Sequence, residues 1–148
     1  MVDGELVQRD VCTILAAVYD ADIDLVFEYT HPRVIELLGG QENAKVEFSA
    51  LLSKLKSSGM KLESLTFPTS PTFLNSETNE FVIVPTLSII AVGETRVESL
   101  NYQVGHREIG TSKWTYIEGS RINQQNVKEF FLDFPLDFKF PKFYRKKL

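Results

Sequence analysis

Residues 19–40 read YDADIDLVFEYTHPRVIELLGG, and this stretch decides how the rest of the chain is interpreted. Asp22 can accept hydrogen bonds from the exposed amides of a helix that begins just after it. Pro32 disfavours helical geometry at His31 and suits the first turn of another helix. The glycines at 39–40 end that helix, because glycine readily adopts the backbone geometry that follows a helix. The stretch therefore predicts two short helices joined by a sharp turn.

Two longer amphipathic helices are predicted on either side of this stretch. In both, apolar residues recur at spacings of three and four, which is typical of a helix face packed on a core. The first helix carries Val7, Val11, Ile14, Leu15 and Val18 on that face. The second begins near Glu42 and carries Phe48, Leu51, Leu52 and Leu55. Gly59 is the expected end of the second helix.

After Gly59 the apolar period shortens from about 3.6 to about 2 residues, as expected of β-strands. Successive antiparallel hairpins are predicted between residues 61 and 122, followed by a closing helix over 123–131. The longest apolar run, residues 81–92, contains Pro85, which predicts a bulge or an exposed strand edge there. Helices first and a strand meander second predict an α+β fold with the helices on one face of the sheet.

The chain is long enough for one domain with a single core. We assign residues 1–133 to that domain and 134–148 to an aromatic and basic tail. Residues 1–138 hold 20 acids and 11 bases, whereas the last ten residues add five bases and no acid. The net charge of −4 argues against binding to nucleic acid or to an anionic membrane. The tail is expected to run extended and bury its rings, or else to be a solubilising, disordered end.

The sequence also bears on location and redox chemistry. No basic and apolar leader begins the chain, which predicts a cytoplasmic protein, although a chain whose signal peptide had been removed would look the same. The apolar run at 81–92 is too short to cross a bilayer. The single cysteine excludes a disulfide within the chain.

Three motifs resemble those of the nuclear-transport-factor-2-like superfamily, whose folds are related to ketosteroid isomerases and polyketide cyclases. They are the aspartate-rich link at 19–24, Tyr-Thr-His-Pro at 29–32, and WTYIEG at 114–119. The resemblance covers nearly the whole chain. It implies a strongly curved antiparallel sheet with the N-terminal helices packed in its concave face, a cone that encloses a cavity. It also implies a homodimer through the outer sheet face. Residues 81–92 favour this independently, because their apolar side chains alternate onto both faces of the predicted strand, which suggests that neither face meets much water.

Tyr102, Glu118 and His31 are the candidate catalytic residues. A loose alignment to the isomerases, which the resemblance suggests, places Tyr102 near the acid that donates a hydrogen bond to their developing oxyanion. Glu118 is expected across from Tyr102 or one residue away, and the parity of Tyr102 is expected to face the cavity. His31 lies where the cavity should open and could move a proton there, or it could simply cap the following helix. Cofactor-free acid–base catalysis is therefore one candidate activity, and whether the protein is an enzyme stays open.

Enzyme classes of the superfamily are matched only in part. The first-helix tyrosine of the isomerases corresponds to Ile14, and their carboxylate base falls near Glu36. Small epoxide hydrolases use an acid–arginine–acid set, which Arg96, Glu98 and Glu118 resemble. A surface ion pair between strands is the simpler interpretation of this set, and we favour it.

Two functions of different classes are carried forward. The first is binding of a small, largely apolar ligand, with isomerase, dehydratase or epoxide hydrolase chemistry as an extension. Its expected ligand-binding residues are Tyr19, Phe27, Tyr29, Glu98, Trp114 and Tyr116. The alternative is a non-enzymatic protein-interaction or oligomerisation module whose cavity is filled by large apolar side chains.

Neither a metal nor a cofactor is expected. The two histidines are far apart in the sequence, and His106 is expected to be exposed near a hairpin end. The glycines at 39–40 lack the lysine and hydroxyl that follow in a nucleotide-binding loop.

Overall fold

The computed structural model describes residues 3–148 and confirms an α+β architecture with the main helices at the N-terminus. The helices in this range are α1 (Asp3–Asp20), α2 (Ile23–Tyr29), α3 (Pro32–Leu37), α4 (Gln41–Ser57) and α5 (Val127–Phe130). No helix of this range is long and apolar enough to cross a membrane.

The strands of the described chain form one six-stranded antiparallel sheet. They are β1 (Lys61–Thr66), β2 (Thr72–Asn75), β3 (Asn79–Val92), β4 (Thr95–Glu108), β5 (Thr115–Glu118) and β6 (Tyr144–Lys147). The order is β1-β3-β4-β5, with β2 also pairing with β3 and β6 also pairing with β4. Strands β2 and β6 are not predicted from the sequence pattern, and the closing helix is shorter than expected.

The short helices begin where the sequence predicts. The Asp22 carboxylate accepts a hydrogen bond from the Leu25 amide at 3.3 Å, at the start of α2. The His31 ring caps α3, since its Nδ1 atom accepts from the Arg33 amide at 3.0 Å. Pro32 is the first residue of α3, where its missing amide proton costs no helical hydrogen bond.

The change from helix to sheet at Gly59 is confirmed. Helix α4 ends at Ser57. Gly59 adopts a φ of 77°, a backbone conformation that is strained for residues with a side chain. Strand β1 begins at Lys61, and no helix occurs between residues 61 and 122.

Pro85 lies at a gap in the strand pairing of β3, but it is buried, so neither the bulge nor the exposed edge predicted for it is observed. Strand β2 pairs with residues 80–83 and β1 with residues 87–91, so residues 84–86 have no neighbour on that side. On the other side Pro85 lies opposite Tyr102, whose carbonyl accepts from the Gly119 amide and therefore points away from β3. The missing amide proton of proline thus faces the gap between β1 and β2.

The two faces of the sheet are covered by different parts of the chain. On the first, which we call the helix face, α1 packs through Val7, Val11 and Ile14 against Val82 and Val84. Gly105 lies opposite Val82 on this face, where a Cβ atom would approach a Val82 methyl to 2.6 Å. The sequence therefore needs glycine at this point of β4 to accommodate the packing under α1.

The second face, which we call the tail face, is covered by the C-terminal segment. The rings of Phe131 and Phe134 each lie 5.0 Å from that of Phe81, and the ring of Phe140 lies 5.7 Å from that of Tyr102. Strand β6 then pairs with residues 97–100 of β4, beyond the end of β5. Residues 134–148 are thus integrated with the domain by aromatic packing and by strand pairing.

Candidate functional site

A cavity of about 570 Å³ lies between the helices and the helix face of the sheet. Its helical wall is largely apolar and includes Ile14, Val18, Val26, Phe48, Leu52 and Leu55. These residues come from α1, α2 and α4, and those of α1 and α4 lie on the apolar faces that the sequence predicts. The helical wall therefore suits an apolar ligand surface.

The sheet wall of the cavity is polar in its middle. Residues directly opposite each other on neighbouring antiparallel strands project from the same face. Ser88 of β3 lies opposite Ser99 of β4, and Ser99 lies opposite Arg145 of β6. The next rows along β4 pair Thr86 with Asn101 and Gln103 with Glu118. All of these residues line the cavity, so we call them the polar wall.

Four members of the polar wall are buried without a protein partner. Their exposed fractions are 4% for Thr86, 9% for Ser88, 3% for Ser99 and 3% for Gln103. No side-chain hydrogen bond joins any of them to another residue in the range 3–148. The one fully buried side-chain N or O atom without a partner in this range is Trp114 Nε1, so the polar atoms of these four residues are not sealed inside the core. Polar atoms that open into a cavity and have no protein partner need hydrogen bonds from the contents of that cavity. These groups are therefore arranged to bond to something that enters the cavity, water or a ligand.

Glu118 also lines the cavity, but its carboxylate is already bonded within the chain. One oxygen accepts from Asn101 Nδ2 at 2.6 Å, and the other accepts from the Ser120 amide at 2.9 Å and from the Ser120 hydroxyl. These donors hold the carboxylate in one orientation. Glu118 is thus positioned as a fixed charge of the wall.

Two arginines lie at the same cavity. The Arg121 guanidinium stacks 5.5 Å from the Phe48 ring centroid, and that of Arg145 lies 5.9 Å from the Phe143 ring centroid. Neither guanidinium forms an ion pair with a carboxylate of residues 3–148. Their positive charge is therefore not neutralised by a bridge within the described chain.

Tyr102 does not lie at the cavity, which corrects its predicted position. The register places Gly119 beside Tyr102 and puts Glu118 opposite Gln103. Successive side chains of a strand project to opposite faces, so this one-residue difference sends Tyr102 to the tail face. There its buried hydroxyl donates to the Ile122 carbonyl at 2.6 Å. Tyr102 and Glu118 consequently do not converge on one point.

Glu98 projects to the same face of β4 as Tyr102, so it does not line this cavity either. Its carboxylate accepts from the Tyr144 hydroxyl at 3.0 Å and forms an ion pair with Lys146 at 3.2 Å. Arg96 instead pairs with Glu63 of β1 at 2.8 Å. The acid–arginine–acid set is therefore not assembled, and the interpretation of these residues as surface ion pairs agrees with the contacts.

Glu36, the position nearest the isomerase base, is also remote from the cavity. It is exposed on α3, where its carboxylate pairs with Arg33 at 3.0 Å. Ile14 contributes only apolar surface to the cavity wall.

His31 lies on the tail side of the structure and contacts His106, which the sequence separates from it by 75 positions. The His31 Nε2 and His106 Nδ1 atoms are 3.1 Å apart, and His106 Nε2 lies 2.8 Å from Asn79 Oδ1. The ring of Phe131 lies 5.1 Å from that of His31 and 4.9 Å from that of His106. His106 is therefore half-buried rather than exposed, and His31 does not line the cavity.

The histidine pair is held in its neutral form. Burial lowers the pKa of His31 from its ordinary 6.5 to about 4, and the neighbouring His106 acts in the same direction. Burial also lowers the pKa of His106, although the charges of Asp133 and Glu108 oppose this. The pair thus serves as a fixed hydrogen-bonded link between α3 and β4.

Three of the predicted aromatic residues line the cavity and two do not. Tyr19, Tyr29 and Tyr116 contribute to its wall. Phe27 packs edge-on against Phe48 with ring centroids 5.4 Å apart, and Trp114 is buried beneath the Arg107 guanidinium at 4.3 Å. The two outliers are core residues, the commoner role of an aromatic side chain in such a domain.

The hydroxyl of Tyr116 is engaged inside the chain. It donates to the Asp10 carboxylate at 2.7 Å, and burial with this acidic partner raises the pKa of Tyr116. Desolvation raises the pKa of Asp10 as well. Tyr116 therefore offers the cavity its ring rather than a reactive hydroxyl.

Sequence reasoning missed the polar wall, although part of it has a visible signal. Thr86 and Ser88 interrupt the longest apolar run at the same parity, and Ser99, Asn101 and Gln103 alternate along the next strand. Polar residues at one parity of two neighbouring strands indicate a wetted patch on a sheet face. Arg145 has no comparable signal, because it reaches the cavity only through the pairing of β6 with β4.

Among the described residues, no group of three or more histidine, cysteine, aspartate or glutamate side chains is placed to hold a metal ion. No family model matches the chain, and neither a curated protein nor a solved structure matches it.

Proposed function

We propose that this chain is a cone-shaped binding domain of the nuclear-transport-factor-2-like kind. In this proposal the N-terminal helices lie in the concave face of a curved sheet. The cavity between them binds a small, largely apolar molecule that also carries a hydrogen-bonding edge. The proposal rests on the geometry of the cavity and on the motifs at 19–24, 29–32 and 114–119.

One observation carries the proposal above the others: four largely buried side chains of the polar wall (Thr86, Ser88, Ser99 and Gln103) face the cavity without a hydrogen-bond partner in the described chain. A cavity that served only structure would be filled by large apolar side chains, because unfilled space and unmet polar groups both reduce stability. Here the side chains that project from the middle of the sheet are short and polar. They match a ligand whose one edge offers hydrogen-bonding atoms and whose other side meets the apolar helices.

Catalysis by Tyr102, Glu118 and His31 is not part of this proposal. The three side chains lie at three different places, and the two that could donate or move a proton are outside the cavity wall. The filled-cavity alternative, a pure interaction module, is disfavoured by a cavity of about 570 Å³ with Glu118 in its wall.

A neutral fluorescent probe tests the proposal. N-phenyl-1-naphthylamine is apolar, carries one N–H group, and becomes fluorescent when it leaves water. The wild-type chain should bind it saturably with one site. S99F should weaken this binding by more than about tenfold, because the added ring occupies the cavity.

The matched control is S112F, which adds the same ring in an exposed turn outside the cavity. It should bind the probe as the wild-type chain does, and both variants should keep a cooperative thermal transition. Equal binding by S99F and the wild-type chain would contradict the proposal, because the probe would then occupy another place.

The same proposal includes a homodimer through the outer side of the sheet. Three large apolar side chains near the C-terminus are exposed and available to such an interface: Leu132 at 83%, Leu136 at 70% and Phe143 at 44%. Light scattering at high concentration should report twice the monomer mass, and L132D/L136D should return the chain to a monomer. A monomer mass for the wild-type chain under the same conditions would contradict the proposed dimer.

A further inference from the structure

We propose that the row formed by Ser88, Ser99 and Arg145 is a carboxylate-binding subsite of the cavity. The ligand would then be an apolar molecule with one terminal carboxylate. This inference rests on the proposed binding function and adds the chemical class of the ligand's polar end.

The row brings together donors that have no other acceptor. Ser99 lies opposite both Ser88 and Arg145, so the two hydroxyls and the guanidinium project from adjacent strands on the same face. Both serines are at least nine-tenths buried, and neither hydroxyl bonds to another residue of the range 3–148. Each of these groups can donate to an anion, and a guanidinium does so with charge-assisted bonds.

Tyr19 extends the same set of donors from the helical side. It lines the cavity, and its hydroxyl makes no hydrogen bond to another described residue. The Arg145 charge reaches it, opposing the rise that burial causes in its pKa. Tyr19 and Arg145 both line the cavity, so the phenol adds a neutral donor to the same cavity.

The charge balance of the wall favours a carboxylate over a dianion such as a phosphate monoester. Glu118 lies two rows from Arg145 along β4, with Asn101 between them. The charged residues that line the cavity are two arginines, Arg121 and Arg145, and one acid, Glu118, so their formal charges sum to one positive charge. A ligand with one carboxylate neutralises this charge, whereas a dianion would leave an excess negative charge beside Glu118.

The apolar rows beyond the subsite indicate where the rest of the ligand lies. Ile90 and Val97 are the next opposed pair along β3 and β4, and both line the cavity. With the apolar residues of α1 and α4 across from them, they form a slot suited to an alkyl chain or fused rings. The tail, which supplies Arg145, thereby completes the site that the domain begins.

The test compares two competitors that share an apolar chain. Decanoate and 1-decanol are titrated against bound N-phenyl-1-naphthylamine at a pH where decanoate is ionised. The wild-type chain should prefer decanoate, and R145Q should weaken decanoate by about tenfold while leaving decanol unchanged, because one charge-assisted interaction is lost. K142Q, which removes the same charge from an exposed residue outside the cavity, should behave as the wild-type chain does.

The outcomes separate the two proposals. If R145Q weakens both competitors equally, if the wild-type chain has no preference, or if neither competitor displaces the probe, the carboxylate subsite is overturned and cavity binding stands. If the probe itself binds S99F and the wild-type chain alike, the cavity proposal fails and the subsite with it. S99A supplies an independent check, since it should weaken decanoate more than decanol without removing any charge.

Discussion

At the scale of single residues, the His31–His106 pair shows how burial fixes a protonation state. The Arg33 amide donates to His31 Nδ1, which leaves the ring proton on Nε2. That proton is donated to His106 Nδ1, and His106 Nε2 in turn donates to Asn79 Oδ1. Each ring acts once as an acceptor, so protonation of either one would break the chain of bonds.

Stability should therefore fall as the solution becomes acidic. An unfolded histidine takes up its proton near pH 6.5, whereas His31 in the folded chain does so only at about pH 4. Between these values the unfolded chain binds more protons, so the free energy of unfolding falls by roughly 1.4 kcal/mol per pH unit for this one group. The contribution is complete above pH 6.5 and is lost as the pH falls towards 4.

Urea unfolding of the wild-type chain and of H31N at several pH values measures this contribution. Asparagine keeps a side-chain cap for α3, so H31N removes the titrating ring with little effect on helix initiation. The pH profile of H31N should be flatter than that of the wild-type chain between pH 6.5 and 4. Parallel profiles would show that His31 does not carry the effect.

Tyr102 provides a second test at the residue scale, because its corrected position makes it structural. Y102F removes the hydroxyl that donates to the buried Ile122 carbonyl. The free energy of unfolding should fall by about 1 kcal/mol, while the affinity for N-phenyl-1-naphthylamine should stay the same. A large loss of probe affinity with unchanged stability would contradict this position, because it would indicate that Tyr102 contacts the ligand.

At the scale of elements, the C-terminal segment divides into two parts with different roles. Phe134 is buried on the tail face, and Phe140 is held by its amide, which donates to Gln124 Oε1 at 3.2 Å. The residues of β6 are all exposed and contribute strand pairing and Arg145. Stability should therefore depend on the first part and ligand recognition on the second.

Two truncations separate these roles. Deleting residues 134–148 should lower the free energy of unfolding by more than about 2 kcal/mol, the contribution of one buried phenylalanine ring. Deleting only 142–148 should cost much less stability and remove the preference for decanoate over decanol. Thermal unfolding and the competition titration give both quantities, and equal melting temperatures for the two truncations would contradict this division.

The elements also show which parts of the fold a sequence can predict. The helix boundaries at Asp22, Pro32 and Gly59 follow from local capping and backbone preferences, so they were predicted closely. Whether Tyr102 or Gln103 lies opposite Glu118 depends on the register between β4 and β5, and a shift of one residue exchanges the two sheet faces. The loop of residues 109–114 sets that register, and its length does not follow from the strand pattern.

The candidate site was harder to predict than the fold, for the same reason. The histidine pair and the row that ends in Arg145 join residues far apart in sequence, and both depend on how the C-terminal segment crosses the sheet. The residues of β6, YRKK, carry no apolar alternation that would predict a strand. Only the polar residues at alternate positions of β3 and β4 give a signal in the sequence.

At the scale of the whole molecule, the cavity depends on two differently built walls. The helices supply apolar residues from α1, α2 and α4, and the middle of the sheet supplies short polar ones. The tail face is closed by the chain's own aromatic residues, so the apolar pattern of β3 at both parities does not by itself require a partner. Binding capacity is thus expected on the helix face only.

Chemical-shift mapping with N-phenyl-1-naphthylamine tests this account most directly, because an aromatic probe shifts the amide resonances of the residues beside it. The account predicts saturable shifts for the amides of Thr86, Ser88, Ser99 and Gln103. It predicts no shifts for the exposed turn at residues 109–113. Shifts confined to the exposed C-terminal segment, or no saturable shifts in the polar wall, would contradict the claim that the cavity is a binding site.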